Sequence, residues 1–231
     1  MEKPIASDLA SADRMIDAAT RHGRILQVGH LERFNPAVLA LEQRASLPLF
    51  FEIHRLNLFS PRSLDVDVVL DLMIHDVDLV LALAGSAEPT EIRAAGISIL
   101  SSKVDIANVR LLFPNGCVAN LTASRISTER VRKLRLFQPH QYLSLDFARQ
   151  DLAIFSVSAD RHIGFEQAPV APGEPLVLQF NAFLDSIASR TSPKSSGVSA
   201  RRTLAVALAI LDKIEDHSKI VSQTLVDGWK P

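Results

Sequence analysis

The chain has 231 residues, 47% of them hydrophobic, and its 25 basic and 26 acidic side chains leave a net charge of −1. This composition suffices for a substantial core, and the balanced charge gives no electrostatic footprint for nucleic acid or for an anionic membrane. The single cysteine, Cys117, excludes an internal disulfide framework and a cysteine-rich zinc site. It is compatible with a reducing, cytoplasmic environment.

The first elements predicted along the chain are a helix and a strand. The helix is predicted from apolar residues at a period near 3.6, with Asp8 as N-cap and Gly23 just beyond its end; these residues are Leu9, Ala12, Ile16 and Ala19. Residues 24–31, RILQVGHL, predict a strand. A helix followed by a strand is half of an α/β unit.

The next part of the chain predicts a helix at 35–44, with Asn35 as cap and Pro36 in its first turn, and a strand at 49–58. After a buried helix at 65–85, residues 91–157 predict five or six strands joined by short links, which implies a largely antiparallel sheet. We expect a loop at 160–175, helices at 176–190 and 199–217, and an extended tail at 221–231.

The helix at 65–85 carries three ionisable residues, Asp71, His75 and Asp78, within an otherwise apolar run. Their spacing places them on one stripe of a helix. Unpaired ionisable groups are costly to bury, so such a stripe needs a reason. Three reasons remain open: a general acid or base at His75 oriented by Asp71 or Asp78, a metal site, or a polar cluster that ties the helix to its neighbours.

Two further stretches are candidates for ligand contacts. Lys3 lies between Glu2 and Pro4, where Pro4 restricts its backbone. Polar residues follow the predicted strand at 24–31, in the position where α/β sheets contact ligands; they are His30, Glu32, Arg33 and Asn35. The alternatives are a solvated lysine and a helix cap with a surface loop. The sequence contains no glycine-rich phosphate-binding motif.

Taken together, these features resemble the Gfo/Idh/MocA family of NAD(P)-dependent oxidoreductases. The resemblance rests on an ordered series: Glu2-Lys3-Pro4, Gln27-Val28-Gly29-His30, Arg33-Phe34-Asn35-Pro36, Asp71-x-x-x-His75-x-x-Asp78 and Phe183-x-x-x-Ile187. Within the family, the stretches at 30–36 and 65–76 together are similar to members that act on nucleotide sugars. One departure is residues 65–69, which stand where the family usually has a glycine-rich run.

The resemblance implies hydride transfer between a sugar or nucleotide-sugar hydroxyl and NAD or NADP. His75 would take the hydroxyl proton, Lys3 would hydrogen-bond the same oxygen, and Asp71 would orient His75. Cofactor contacts would come from Glu2, Lys3 and Pro4. Substrate contacts would come from His30, Arg33, Asn35 and Asp78, and no metal is expected.

The resemblance also implies a domain organisation. We expect residues 1–33 to be the C-terminal remnant of a dinucleotide-binding Rossmann domain. Residues 34–231 would form a substrate-binding and oligomerisation α/β domain, with helices on one face of an open, mostly antiparallel sheet. In the family the glycine-rich segment precedes Glu-Lys-Pro, and Met1 stands at that point here. We therefore expect the chain to bind NAD or NADP weakly without that segment.

A second hypothesis is a non-catalytic dimerisation or binding module derived from the same family. The predicted strands at 109–113 and 118–122 have apolar residues on both faces, which favours a covered outer face and a homo-oligomer through the open sheet.

Overall fold

The computed structural model describes residues 1–60, 64–85, 87–100 and 102–228, with side chains up to residue 223. Within these ranges eight strands form one sheet in the order β2-β3-β4-β1-β5-β6-β7-β8. The strands are β1 Phe50–Leu58, β2 Glu91–Ile97, β3 Ile106–Leu112, β4 Val118–Ser127, β5 Val131–Gln138, β6 Gln141–Asp146, β7 Asp151–Val157 and β8 Ile163–Gln167. Only β1 and β4 are parallel, so the prediction of an open, mostly antiparallel sheet is confirmed.

The helices are α1 Leu9–Arg21, α2 Pro36–Arg44, α3 Ile74–Leu83, α4 Pro175–Ser189 and α5 Gly197–Gly228. A 3₁₀ turn at Leu31–Phe34 precedes α2, and a π-helical turn at Val69–Met73 leads into α3. The predicted caps of the first two helices are present: Asp8 accepts from the Ser11 N–H, and Asn35 accepts from the Ala37 N–H. No helix in the described ranges is long and apolar enough to cross a bilayer.

The main core lies between one face of the sheet and the helices. Alternate residues of each strand point into it, as a period of two requires, and helices α2, α3 and α5 close it from the other side. A smaller core joins α1 to α5 through Ile5, Ala12, Val28, Ala200 and Leu204. The prediction that the helices lie on one face of the sheet is therefore confirmed.

The outer face of the sheet is polar on one half and aromatic on the other. Outward residues of β3 and β4 include Asn108, which bonds the Thr122 hydroxyl, and the apolar pair Leu112 and Val118 at the other end of the two strands. On the other half an aromatic ladder crosses five adjacent strands, with ring centroids 4.8–5.8 Å apart. It consists of Phe50, Phe137, Tyr142, Phe155 and Phe165.

Three predicted elements differ from the structure. Residues 24–31 are extended but make only isolated bridges, Glu2 to Gly29 and Gln27 to Ser196, because no described strand lies beside them. Part of the predicted loop at 160–175 is strand β8, which is exposed throughout and so lacks the alternation that marks a half-buried strand. The predicted extended tail is helical as far as Gly228, and residues 229–231 lie outside the described residues.

Candidate active site

The candidate site is built around the π-helical turn that precedes α3. The Ile74 N–H bonds the carbonyl of Val69, five residues back, which widens the turn relative to an α-helix. The Lys3 ammonium donates to the Asp71 carbonyl oxygen within this turn and lies 3.5 Å from that of Leu70. Single π turns within α-helices occur frequently at functional sites. The turn thus brings the N-terminal lysine onto the helix that the sequence singled out.

Lys3 and Asp71 also form an ion pair. The Lys3 Nζ lies 3.6 Å from the Asp71 Oδ1, and the two side chains retain 18% and 29% of their exposure. Burial lowers the pKa of Lys3, and the neighbouring Asp71 carboxylate opposes that effect. The pair therefore lies at a partly open position where a small ligand can reach the ammonium group.

His75 lies one turn further along the same helix and is partly exposed. Its Nδ1 is buried without a hydrogen-bond partner among the described residues, so the accessible edge of the ring is the one that carries Nε2. Burial lowers the pKa of His75 well below its ordinary value, and the cations of Arg55, Lys3 and Arg132 lower it further. The imidazole is therefore neutral at pH 7 and able to accept a proton.

His30 packs behind His75, and the two ring centroids are 6.2 Å apart in an edge-to-face arrangement. It is almost fully buried, its ring nitrogens have no hydrogen bond in the described part of the chain, and its Nδ1 lies 3.8 Å from the Asp78 Oδ2. Burial lowers the pKa of His30 as well. His30 therefore supports one side of the His75 ring rather than facing an open cleft.

Arg33 and Asp78 form a buried ion pair. Arg33 donates to both carboxylate oxygens of Asp78, at 2.6 and 3.0 Å, and Thr203 on α5 donates to the Asp78 Oδ1 at 3.1 Å. Bidentate pairs of this kind hold their partners in a fixed geometry. The pair therefore ties the loop before α2 and helix α5 to α3.

A second buried ion pair lies on the other side of α3 and was not anticipated from the sequence. Arg55 on β1 donates to both oxygens of Asp76, at distances from 2.7 to 3.0 Å, and to Glu32 at 2.8 Å. Its guanidinium also lies 5.0 Å from the centroid of the Phe147 ring. The signal in the sequence is the strand at 50–58, where a period of two places Arg55 on the buried face with Phe51 and Ile53.

The predicted substrate residues are buried in contacts within the chain. Asn35 is buried, its oxygen caps α2, and its amide nitrogen donates to the Phe147 carbonyl, so all its polar atoms are used within the chain. Arg33, Asp78 and His30 are likewise buried in internal contacts. The structure therefore supports the structural alternative for these four residues, which the sequence had also left open.

Of the cofactor residues predicted at 2–4, Glu2 lines a cavity of about 530 Å³. The Glu2 side chain lies over Gly29, and a Cβ there would be 3.0 Å from the Glu2 Oε2. The Lys3–Pro4 peptide bond is cis. Apolar residues of α4 form the far wall of the cavity, among them Leu176, Val177, Phe180 and Phe183.

A dinucleotide pyrophosphate usually binds at an open, glycine-rich helix N-terminus. Among the described helices, α1 is capped by Asp8, Glu174 precedes α4, and the Ser196 hydroxyl caps the first turn of α5. The carboxylates of Asp8 and Glu174 repel phosphate at the first two of these positions. The described residues thus suit the reacting end of a nicotinamide cofactor, beside Lys3 and His75, and do not suit its pyrophosphate.

The described residues contain no group of three or more His, Cys, Asp or Glu side chains placed to hold a metal ion. Asp71 pairs with Lys3 and Asp78 pairs with Arg33, so the two carboxylates of the predicted stripe have different partners.

Comparison with known proteins gives a match to the model of the GFO/IDH/MocA C-terminal domain over residues 53–138. A UDP-N-acetylglucosamine 3-dehydrogenase from Acidithiobacillus ferrooxidans is 38% identical over 221 residues, which cover 93% of this chain and 70% of the relative. An inositol 2-dehydrogenase from Acidothermus cellulolyticus is 36% identical over 100 residues, covering 40% of this chain and 29% of that protein.

Solved structures give the same picture. A structure of the Acidithiobacillus ferrooxidans UDP-N-acetylglucosamine 3-dehydrogenase superposes with a TM-score of 0.88 at 39% identity, over 94% of this chain and 70% of that chain. A levoglucosan dehydrogenase in complex with NADH and levoglucosan superposes with a TM-score of 0.81 at 18% identity, over 94% of this chain and 71% of that chain. At that identity the second match speaks for the fold alone.

Proposed function

The chain belongs to the Gfo/Idh/MocA family of oxidoreductases, and on that premise we propose that it moves a hydride between a sugar hydroxyl and a nicotinamide cofactor. The similarity to a UDP-N-acetylglucosamine 3-dehydrogenase supports a nucleotide sugar as the substrate. One observation carries the proposal. The Lys3–Asp71 pair lies at the π turn, and the neutral His75 lies on the helix that follows it.

Oxidation of a carbinol removes a hydride from carbon and a proton from oxygen. His75 accepts that proton at Nε2, because Nδ1 is buried and the lowered pKa of His75 keeps the ring neutral. A nicotinamide cofactor, when bound, supplies the ring that accepts the hydride. In the reverse direction His75 returns the proton to the oxygen.

Lys3 positions and polarises the reacting oxygen. Its ammonium has three N–H groups, of which the nearby backbone carbonyls of Leu70 and Asp71 use two. The Asp71 carboxylate lies 3.6 Å from the ammonium nitrogen and acts as its counter-ion. We therefore assign Asp71 to Lys3, whose charge it balances, rather than to His75 as the family resemblance implied.

Cofactor binding by the 231 residues alone is proposed to be weak, with either NAD or NADP, because the sequence has no glycine-rich phosphate-binding motif and carboxylates precede helices α1 and α4. We keep Glu2, Lys3 and Pro4 as the proposed contacts to the nicotinamide end. The division at residues 33 and 34 into a Rossmann remnant and a substrate domain also stays a proposal, as does a cytoplasmic location.

The test is a titration of NADH and NADPH, followed by nicotinamide fluorescence, and a turnover assay with UDP-N-acetylglucosamine. The chain is compared with a chimera that carries the part of the Acidithiobacillus relative with no counterpart here. We expect weak binding by the chain, and tight binding with substrate-dependent reduction of the cofactor by the chimera. A chimera that binds cofactor but oxidises no sugar would contradict the proposal and favour a non-catalytic binding module. Tight binding by the chain alone would overturn our view of the pyrophosphate site.

The aromatic ladder on the outer face of the sheet supports a homo-oligomer as a second proposal. Its rings are partly exposed, Phe137 by 37% and Phe165 by 63%, and contiguous exposed apolar surface commonly marks a protein interface. A copy of the chain would cover it with its own ladder, as a two-fold interface requires.

Replacing Phe155, an interior ring of the ladder, by arginine is expected to convert a dimer or larger oligomer into monomer, because it places a charge within the apolar contact. Sedimentation velocity at micromolar concentration measures this. Asn108→Arg, on the polar half of the same face, is the matched control and is expected to leave the oligomer intact. A wild-type chain that is already monomeric would remove the basis of the proposal.

A further inference from the structure

Arg132 is a cation with an unsatisfied donor. It lies on β5 on the inner face of the sheet, directly opposite Arg55 in the register of β1 and β5. Like charges opposite each other on adjacent strands are destabilising. Asp76 and Glu32 balance the charge of Arg55. Arg132 has no ion pair with a carboxylate among the described residues; its Nε is buried without a partner, and it makes one long hydrogen bond, 3.4 Å to Asn57.

Arg132 also lies close to the proposed proton acceptor. Its charge contributes to lowering the pKa of His75, which directly precedes Asp76, the partner of Arg55, in α3. The pKa of Arg132 is itself lowered, first by burial and then by the charges of Arg55 and Arg130, while the more weakly acting carboxylates of Glu32 and Asp76 oppose this effect. Arg130 is exposed, two residues earlier in the chain. A bound anion would offset the free-energy cost of burying the guanidinium of Arg132. It would also reduce the repulsion among Arg55, Arg130 and Arg132.

We propose that Arg132, together with the nearby exposed Arg130, forms the subsite that binds the diphosphate of a nucleotide-sugar substrate. A guanidinium offers a planar fork of donors that matches two phosphate oxygens, and its partly buried position strengthens the interaction. A neutral sugar would leave the buried Nε of Arg132 unpaired, so the site discriminates in favour of charged substrates. This inference rests on the proposed function, because that function places the sugar hydroxyl at His75.

The test uses UDP and uridine as probes and measures their binding to the purified chain by calorimetry, with no cofactor and no turnover. Arg132→Gln is expected to weaken UDP binding by about tenfold or more, the usual effect of losing a hydrogen bond to a charged group. Arg132→Lys is expected to recover part of that loss, because lysine keeps the positive charge but lacks the planar pair of donors of a guanidinium. Uridine binding is expected to be the same in all variants.

Arg135→Gln is the matched control, since Arg135 lies on the same strand but points to the outer face, where it pairs with Glu52. It is expected to bind UDP as the wild type does. Equal UDP binding by Arg132→Gln and the wild type, or UDP binding no tighter than uridine binding, overturns the subsite. If Arg132→Gln does not fold, unchanged UDP binding by Arg132→Lys overturns it.

The two proposals fail in different ways. Loss of turnover in the chimera with UDP binding intact would contradict the oxidoreductase mechanism and leave the anion subsite standing. Turnover of UDP-N-acetylglucosamine with the same KM in the wild-type and Arg132→Gln chimeras would refute the subsite and leave the mechanism standing. A raised KM for the nucleotide sugar at unchanged kcat is the result that the subsite predicts.

Discussion

Replacing His75 by asparagine is expected to lower the rate of sugar oxidation by about 10²- to 10⁴-fold, the usual contribution of a positioned general base. Asparagine keeps a polar side chain of similar size but cannot accept the hydroxyl proton. The measurement is kcat/KM for cofactor reduction with UDP-N-acetylglucosamine, in the chimera that carries a dinucleotide-binding part. His54→Asn is the control, because His54 is exposed on the outer face of β1.

The pH profile gives a second readout of the same assignment. Burial, and then the charges of Arg55, Lys3, His30 and Arg132, lower the pKa of His75 well below 6.5, so the ring stays neutral where an ordinary histidine is protonated. The acid limb of kcat/KM in the wild type is therefore expected below pH 6.5, and it is expected to disappear in His75→Asn. An acid limb at or above pH 6.5, or a rate loss of less than about tenfold, would contradict the role of His75.

The sheet was predictable because its strands alternate. Inward residues such as Val109 and Leu111 are separated by polar outward ones, and short turns such as that at Gly116 join the strands. The misses have equally physical causes. β8 is exposed on both faces and shows no alternation, and the segment at 24–31 has the composition of a strand without a described strand to pair with.

The candidate site was predictable as a set of residues but not as a set of contacts. Lys3 pairs with Asp71 on the π turn, and its charge also acts on His75 in the helix that follows. The π turn at 69–73 could not be predicted, because an i to i−5 hydrogen bond has no signature in the amino-acid composition. This turn directs Asp71 towards Lys3. Arg55, Asp76 and Arg132 were missed because their proximity depends on β1 pairing with β5 beneath α3.

Replacing Arg55 by methionine is expected to lower the free energy of unfolding by about 3–5 kcal/mol, because it leaves the buried carboxylate of Asp76 without its cation. Urea denaturation followed by circular dichroism measures this. Arg135→Met removes an exposed pair with Glu52 from the same sheet and is expected to cost no more than about 1 kcal/mol. Equal losses in the two variants would contradict the assignment of the buried pair.

Removing both charges tests whether the isolated carboxylate is the cause. Arg55→Met combined with Asp76→Leu is expected to recover most of the lost stability, because the remaining acid, Glu32, is partly exposed. If the losses of unfolding free energy in the two single variants simply add in the double variant, the cause would be lost packing rather than the unpaired charge. Since Arg55 is the foremost of the cations that lower the pKa of His75, the double variant is also expected to move the acid limb of kcat/KM towards higher pH. The buried pair thus supports the fold and keeps the proposed proton acceptor neutral through one and the same charge.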